Sequence, residues 1–331
     1  MAEDLKATEA TPKLPEHLDS AELAYEDIEF LNSPDGRPLR ILSEYAEPMA
    51  RFRRERIQDT VVFFGSARFR GMDEANQQLE LLDNTGSTQR APDEEQPACA
   101  EELQNAETSA LKLKRAEAAV EMARYYEDAR KLARMMTEWS KTLPGRRHRF
   151  VVTSGGGPGI MEAANRGAWE AGGKTIGLNI KLPFEQYPNP YITPSLNFSF
   201  HYFFMRKYWF AYLAKALVVF PGGFGTLDEM FELLTLDQTH KLGTKITVVI
   251  YGSEYWKNVI NLELLADKGA ISPRDLDLFQ FADTPEDAFA ILQRGLIENH
   301  LLPTTDEGTV PTEPAPNEQE TLGPDIAQTR R

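Results

Sequence analysis

The chain has a single cysteine, Cys99, and five histidines, His17, His148, His201, His240 and His300, in 331 residues. One thiol cannot close an internal disulfide, which suits a reducing compartment and sets the expectation of a cytoplasmic protein. The histidines are scattered and form neither an HExxH pair nor a Cys/His set, so no dedicated metal site is expected. No apolar run approaches the roughly 20 residues of a membrane-spanning helix, so no membrane partner is expected. Residues 1–19 lack the basic start and apolar middle of a secretion signal. Positive charge is also in short supply: 36 Lys and Arg stand against 51 Asp and Glu, a net charge of −15. Nucleic acid is therefore not expected as a partner, because binding it takes a basic stripe that displaces counterions.

What is present is ample for a buried core, since 41% of the residues are hydrophobic. The negative charge is unevenly spread. Residues 1–50 carry 4 basic and 12 acidic side chains, residues 83–107 carry 1 and 7, and residues 303–331 carry 2 and 6, leaving +3 on the remainder. The acidity thus sits in two ends and one insert, and the slightly basic core can hold a small phosphorylated ligand. Residues 1–55 mix Pro, Glu and Ala with short apolar stretches at 28–31 and 39–42, and read as an extension with one or two helical pieces. Residues 303–331, rich in Pro, Glu and Thr, cannot repay the entropy of ordering and are expected to be disordered. The segment 84–108 shares that polar composition and interrupts an otherwise helical stretch.

Between these segments the periodicity alternates. Thr60–Phe64 is a β-branched and aromatic run ending in Gly65-Ser66, and residues 109–143 are a long amphipathic helix pattern closed by Pro144-Gly145. Residues 150–153 predict a strand running into Ser154-Gly155-Gly156-Gly157, residues 160–171 a helix, and residues 174–180 another strand. Residues 203–215 read as helix, 216–220 as strand, and Pro221–Thr226 (PGGFGT) leads into a helix over 227–239. A strand at 245–251, a helix near 254–268 and a last helix opened by Thr284-Pro285-Glu286-Asp287 complete the pattern. Strands alternating with helices predict a doubly wound, Rossmann-like α/β domain over residues 56–302, its parallel sheet covered on both faces. Ligands of such sheets bind outside the carboxyl ends of the strands, where all three glycine clusters fall.

Two glycine-rich turns at strand-to-helix junctions can bring backbone N–H groups close to an anion at a helix N-terminus. In PGGFGT, Gly222, Gly223 and Gly225 offer amides and Thr226 a hydroxyl. Neither turn is a Walker loop, since no Lys-Ser/Thr follows, and neither is a clean GxGxxG with an acid about 20 residues on. Glu229 is placed in the first turn of the following helix, where its carboxylate either projects over a bound sugar or complements the helix dipole, as Asp228 does beside it. Arg206 and Lys207 begin a helix among Phe203, Phe204, Met205, Tyr208 and Trp209, as an anion clamp or as a solvated face.

The stretches SGGGPGIMEAANRGA (154–168), Met205-Arg206-Lys207 and above all PGGFGTLDE (221–229) resemble the Lonely Guy family. Its members are often labelled lysine-decarboxylase-like, and its hallmark is PGGxGTxxE. The resemblance covers about residues 58–302. It implies a Rossmann-like homodimer, or a larger homo-oligomer, that hydrolyses the N-glycosidic bond of nucleoside 5′-monophosphates to free base and ribose 5-phosphate. The substrate is then a cytokinin riboside monophosphate or an AMP-like nucleotide. Carried over by position, Arg206 and Glu229 are the catalytic pair, and Gly222, Gly223, Gly225 and Thr226 cradle the phosphate. Glu185, in the LPFEQ loop, matches the acid the family places near the nucleotide, and Thr235 is a weaker match. Ser66, Gly155, Gly156 and Gly157 line the same crevice, with Lys207 and Asp228 completing the substrate-binding set. The resemblance implies neither metal nor organic cofactor. It points to a longer bacterial branch, since the short plant-type members have a turn with less Pro and Glu than SGGGPGIMEAAN. Glu162 in that motif either reaches the site or complements its helix. Phe198, Phe200, Tyr202, Phe203 and Phe204 either stack on a base or pack the core. A similar fold also serves nucleotide or molybdenum-cofactor carriers, which bind without turnover. The acidic ends are expected to be dispensable: a chain cut to about residues 50–302 should keep its activity and oligomeric state, measured by turnover and size-exclusion chromatography.

Overall fold

Short runs of β-branched and aromatic residues build the strands. TVVFF forms β1 (Thr60–Phe64), whose five residues are all buried, and VVTS forms β2 (Val151–Ser154). They are followed by β3 (Thr175–Ile180), β4 (Asn197–Phe200), β5 (Ala214–Val219), β6 (Thr247–Tyr251) and β7 (Phe279–Ala282). The helices are α1 (Ile28–Asn32), α2 (Arg37–Arg54), α3 (Met72–Gly86), α4 (Ala100–Ser140), α5 (Ile160–Glu170), α6 (Phe203–Leu213), α7 (Phe224–Gln238), α8 (Ser253–Val259), α9 (Leu262–Asp267) and α10 (Pro285–His300). The computed structural model describes residues 20–86, 100–183 and 187–302. Residues 303–331, much of the 84–108 segment and Glu185 lie outside the described residues.

Among the described residues seven strands pair in parallel, in the order β4-β3-β2-β1-β5-β6-β7. The chain winds outward from β1 to β4, then crosses back to place β5 against the other side of β1. This is the doubly wound Rossmann-like sheet, with its topological switch point between β1 and β5. The central strands are buried throughout, as a parallel sheet covered on both faces requires. Edge strand β4 instead alternates, with Phe198 and Phe200 inward. Both rings are at most 2% exposed, and Phe198 packs against Phe52 and Phe200. Of the aromatic set singled out in the sequence, these two are core residues, and only Phe203 and Phe204 remain about half exposed.

One core layer joins Val61 and Phe63 of β1 to α4, α5 and α10 through residues such as Leu132, Met136, Ile160, Ala164 and Leu292. On the other face Phe64 meets Phe210 of α6, and Phe52 of α2 meets Trp209. By its contacts the chain divides into two compact units, Met1–Glu44 and Tyr45–Arg331. In the first, α1 is capped by Asp27, whose carboxylate accepts from the Phe30 N–H.

Several boundaries differ from the pattern read in the sequence. Helix α4 begins at Ala100, nine residues before the start read from the pattern, because Ala, Glu, Leu and Gln, which are good helix formers, outnumber Asn and Thr in AEELQNAET. Helix α7 begins at Phe224, because Gly223 takes an extended conformation and serves as the N-cap. The helix expected near 254–268 is two helices: Ile260 is extended, and the Asn261 side chain caps α9 by accepting from the Leu264 N–H. The last helix matches its signals, with Thr284 as N-cap accepting from the Asp287 N–H and Pro285 at the first position. Strands β4 and β7 went unread because each is four residues long and sits at an edge of the sheet.

The contact of α5 with α4 is set by a missing side chain. A Cβ at Gly167 of α5 would collide with the Arg130 carbonyl of α4. In an open helix Gly→Ala gains about 0.5–1 kcal/mol. Here overpacking, typically about 1–3 kcal/mol, should win. Gly167→Ala is expected to lower the urea midpoint without changing secondary-structure content, measured by circular dichroism.

Candidate active site

The carboxyl ends of β1, β2 and β5 meet at the switch point. The Ser66 N–H donates to the Pro221 carbonyl (3.0 Å), and the Ser66 carbonyl accepts from the Ile160 N–H (3.0 Å), so one residue ties together all three glycine turns. Gly65 can take no side chain because Ile160 stands against it. Gly156 and Gly159 adopt φ of 75° and 72°, a region costly for other residues, which lets the β2–α5 turn fold tightly over the strand end.

That turn is held from beneath by buried polar side chains. The Asn165 carbonyl oxygen accepts from the Ser154 hydroxyl (2.7 Å) and from the Asn189 amide (2.9 Å), and the Ser154 oxygen accepts from the Gly156 N–H (3.0 Å). The Asn189 amide also donates to the Gly156 and Gly157 carbonyls, each at 3.1 Å. Residue-type reasoning missed both asparagines. Asn165 left a signal, a polar residue on the apolar stripe of Ile160, Ala163, Ala164, Gly167 and Ala168. Asn189 left none, since it reaches the turn from a separate loop.

Helices α6 and α7 both start at this edge. Arg206 sits one turn into α6, and its Nε donates to the Leu178 carbonyl of β3 (2.8 Å). Its guanidinium lies over the Phe210 ring at 5.1 Å and against Gly155, where a Cβ would stand 2.6 Å from Nη2. Burial works against its charge and holds its pKa below the ordinary arginine value, while Glu229 opposes that shift. Glu229 lies in the second turn of α7, not the first as the sequence reading had it, because the helix starts at Phe224. Its side chain is only 6% exposed and makes no hydrogen bond or ion pair among the described residues. Burial pushes its carboxyl up to about 7, against the attraction of Arg206 and Lys207. Arg206 and Glu229 thus sense each other's charge without closing an ion pair.

Lys207 is neither a free anion clamp nor a solvated face. Its ammonium bridges Asp228 (2.8 Å) and Glu232 (3.0 Å) of α7, tying the two helix starts together. Burial disfavours its charge, but those two carboxylates outweigh burial and hold its pKa above the usual lysine value. Asp228 is correspondingly committed to Lys207. Gly223 and Gly225 open onto empty space, and the α7 N-terminus has no side-chain cap, so its first N–H groups face outward. Thr226 is buried, with its hydroxyl and β-carbon packed where a Gly222 side chain would be. The Gly222 carbonyl accepts from the Tyr255 hydroxyl at 3.0 Å.

The structure therefore gathers Ser66, Gly155, Gly156, Gly157, Arg206, Lys207, Gly222, Gly223, Gly225, Thr226, Asp228 and Glu229 at one sheet edge. Thr235 stands apart, about 9 Å beyond Glu229 along the helix, its hydroxyl donating to the Phe231 carbonyl. Glu162 accepts from the Tyr126 hydroxyl of α4 (3.0 Å), which commits it to the α4–α5 contact.

A buried carboxylate without partners costs stability, and the sign follows from its pKa. The folded state binds the Glu229 proton more tightly than the unfolded chain does, near the ordinary 4.5. Stability therefore falls as pH rises from 4.5 through 7. Glu229→Gln is expected to stabilise the protein by roughly 1–3 kcal/mol at pH 8 and by little at pH 4.5, read from urea unfolding at the two pH values.

No helix among the described residues is long and apolar enough to cross a membrane. No curated protein matches the chain. Among solved structures it is similar to the molybdenum cofactor binding protein of Rippkaea orientalis, with 19% identity over 51% of this chain and 86% of that one and a TM-score of 0.38. It is likewise similar to the molybdenum cofactor carrier protein of Chlamydomonas reinhardtii, with 21% identity, 52% and 88% coverage and a TM-score of 0.36. A structural-genomics target aligns over 71% of this chain and 99% of its own, with 18% identity and a TM-score of 0.41. At these identities and scores the likenesses carry no argument about function. Residues 161–292, which hold Arg206 and the whole PGGFGTLDE stretch, match the family model described as possible lysine decarboxylase. That match covers less than half of the chain and agrees with the resemblance carried by Met205-Arg206-Lys207 and PGGFGTLDE.

Proposed function

We propose that this crevice hydrolyses the N-glycosidic bond of a nucleoside 5′-monophosphate. The observation that carries the reading is Glu229: a buried carboxylate with no hydrogen-bond partner, pushed up to about 7, beside a fixed arginine and an open helix N-terminus. Partnerless buried carboxylates are costly, and such groups concentrate where chemistry uses them.

The phosphate of the substrate would sit on the outward N–H groups of Gly223, Phe224 and Gly225, where the α7 dipole favours negative charge. The ribose then lies within reach of Glu229. As the C1′–N bond breaks, the electron pair leaves with the base and positive charge grows on the sugar. The Glu229 carboxylate stabilises that charge, and it accepts a proton from the water whose oxygen bonds to C1′. Arg206, held by Leu178 and Phe210, supplies fixed positive charge for the phosphate or the departing base. Lys207 positions both helix starts through Asp228 and Glu232.

Decarboxylation through a pyridoxal aldimine would need a lysine amine that is readily deprotonated. Lys207, the lysine of this crevice, is held the opposite way, above its usual pKa by two carboxylates, so these residues do not fit that group.

Product release from a panel of nucleoside 5′-monophosphates, N6-isopentenyladenosine monophosphate included, tests the proposal by chromatography. Free base and ribose 5-phosphate should appear, with kcat/KM rising with pH through about 7 as Glu229 ionises. Glu229→Gln and Arg206→Ala should each lower turnover by roughly 10²-fold or more while the fold persists. Tight nucleotide binding with no base released from any member of the panel would make the protein a carrier instead.

A further inference from the structure

The opposite edge of the sheet, where the strands begin, is lined with unpaired positive charge. The chain enters β1 through Arg53, Arg54 and Arg56, and enters β2 through Arg146 and Arg147. A parallel bridge between Ile57 and His148 clamps the two approaches together: the His148 N–H donates to the Arg56 carbonyl (2.8 Å), and the Gln58 N–H to the His148 carbonyl (2.9 Å). All five arginines are exposed, and none joins an ion pair among the described residues. The acids in these segments are already committed, Glu55 to Lys174 (2.7 Å) and buried Asp59 to Arg149 (2.6 Å). Lys245, also exposed, adds to the same edge just ahead of β6.

Helix α10 returns from the crevice edge and finishes here. Arg149 Nη2 donates to the His300 carbonyl at 3.3 Å, so the chain beyond Leu302 departs from the rim of the basic edge. Between positions 303 and 320 that chain holds Asp306, Glu307, Glu313, Glu318 and Glu320 and no Lys or Arg.

We propose that the basic edge is a docking surface for the acidic segment 303–320 of the same chain. Each exposed ion pair is weak alone. Tethering changes the balance, because a short linker holds the segment at an effective concentration in the millimolar range. The segment and the arginines carry opposite charge, and position 303 follows directly on Leu302 at the rim of this edge. The docked segment would cover the arginines at low ionic strength and leave them as salt rises, since exposed charges are screened beyond about 10 Å at 0.1 M salt. This inference is independent of the reaction proposed for the crevice.

The test uses the full-length chain and a Glu-specific endoprotease, with cleavage after Glu307, Glu318 and Glu320 followed by mass spectrometry. At low salt these cuts should be about threefold or more slower than in the double variant Arg146→Glu, Arg147→Glu, because cleavage tracks the undocked population. The difference should vanish in about 0.5 M salt. The reciprocal measurement leaves the folded domain untouched: neutralising Asp306 to Asn and the segment's four glutamates to Gln should speed phenylglyoxal labelling of Arg53, Arg54, Arg56, Arg146 and Arg147. Equal cleavage rates together with equal labelling would overturn the proposal. So would salt-sensitive binding of a single-stranded oligonucleotide that the arginine variant loses while the acidic segment stays equally cleavable. In that case the edge serves an external polyanion.

Discussion

The site depends on one close approach, that of the Arg206 guanidinium to the backbone at Gly155. A guanidinium this confined keeps one geometry, set by its bond to the Leu178 carbonyl and by the Phe210 ring beneath it. The approach requires that residue 155 have no side chain and that the β2–α5 turn stay in place. Ser154, Asn165 and Asn189 secure that turn through a buried network in which each member is paired. Buried polar groups linked in this way are costly to leave half satisfied, so the network holds one arrangement. The neighbouring Ser66 links then bring the PGGFGT turn up to the same edge.

Glu229 stands in contrast to everything around it. Thr226, Ser154, Asn165 and Lys207 are packed or bonded, whereas the Glu229 carboxylate is buried and unbonded, opposite a cation that does not reach it. Folding free energy alone would replace it. The stabilising bonds of the site lie in its supports and its destabilising charge lies in the crevice, which is the arrangement that the proposed hydrolysis draws on.

Much of the architecture was legible because parallel strands and their helices have different periods. TVVFF can only be a buried strand in this setting, and the Thr284-Pro285 start of α10 carries both a cap and a proline signal. The start of α7 was misread because Phe224-Gly225-Thr226 has poor helix propensity, and the sheet edge, not propensity, sets where that helix begins. Phe198 and Phe200 could be read either as rings that stack on a base or as core, because a four-residue strand has too little pattern to show which way its rings point. Lys207 could not be told from a clamp, since its partners, Asp228 and Glu232, lie on another helix.

By itself, then, the amino-acid order determined the alternation of strand and helix, the glycine turns at strand ends, and the presence of Glu229 just beyond one of those turns, all of which are local and periodic properties. Only the tertiary structure decided that β5 returns to β1, so that turns more than 150 residues apart share one edge. It also decided that Glu229 is buried without a partner, that Asn165 and Asn189 meet beneath Gly156, and that the arginines before β1 and β2 gather at the opposite edge. Burial and non-local pairing depend on which segments the folded chain brings together, and no window of the sequence contains both partners.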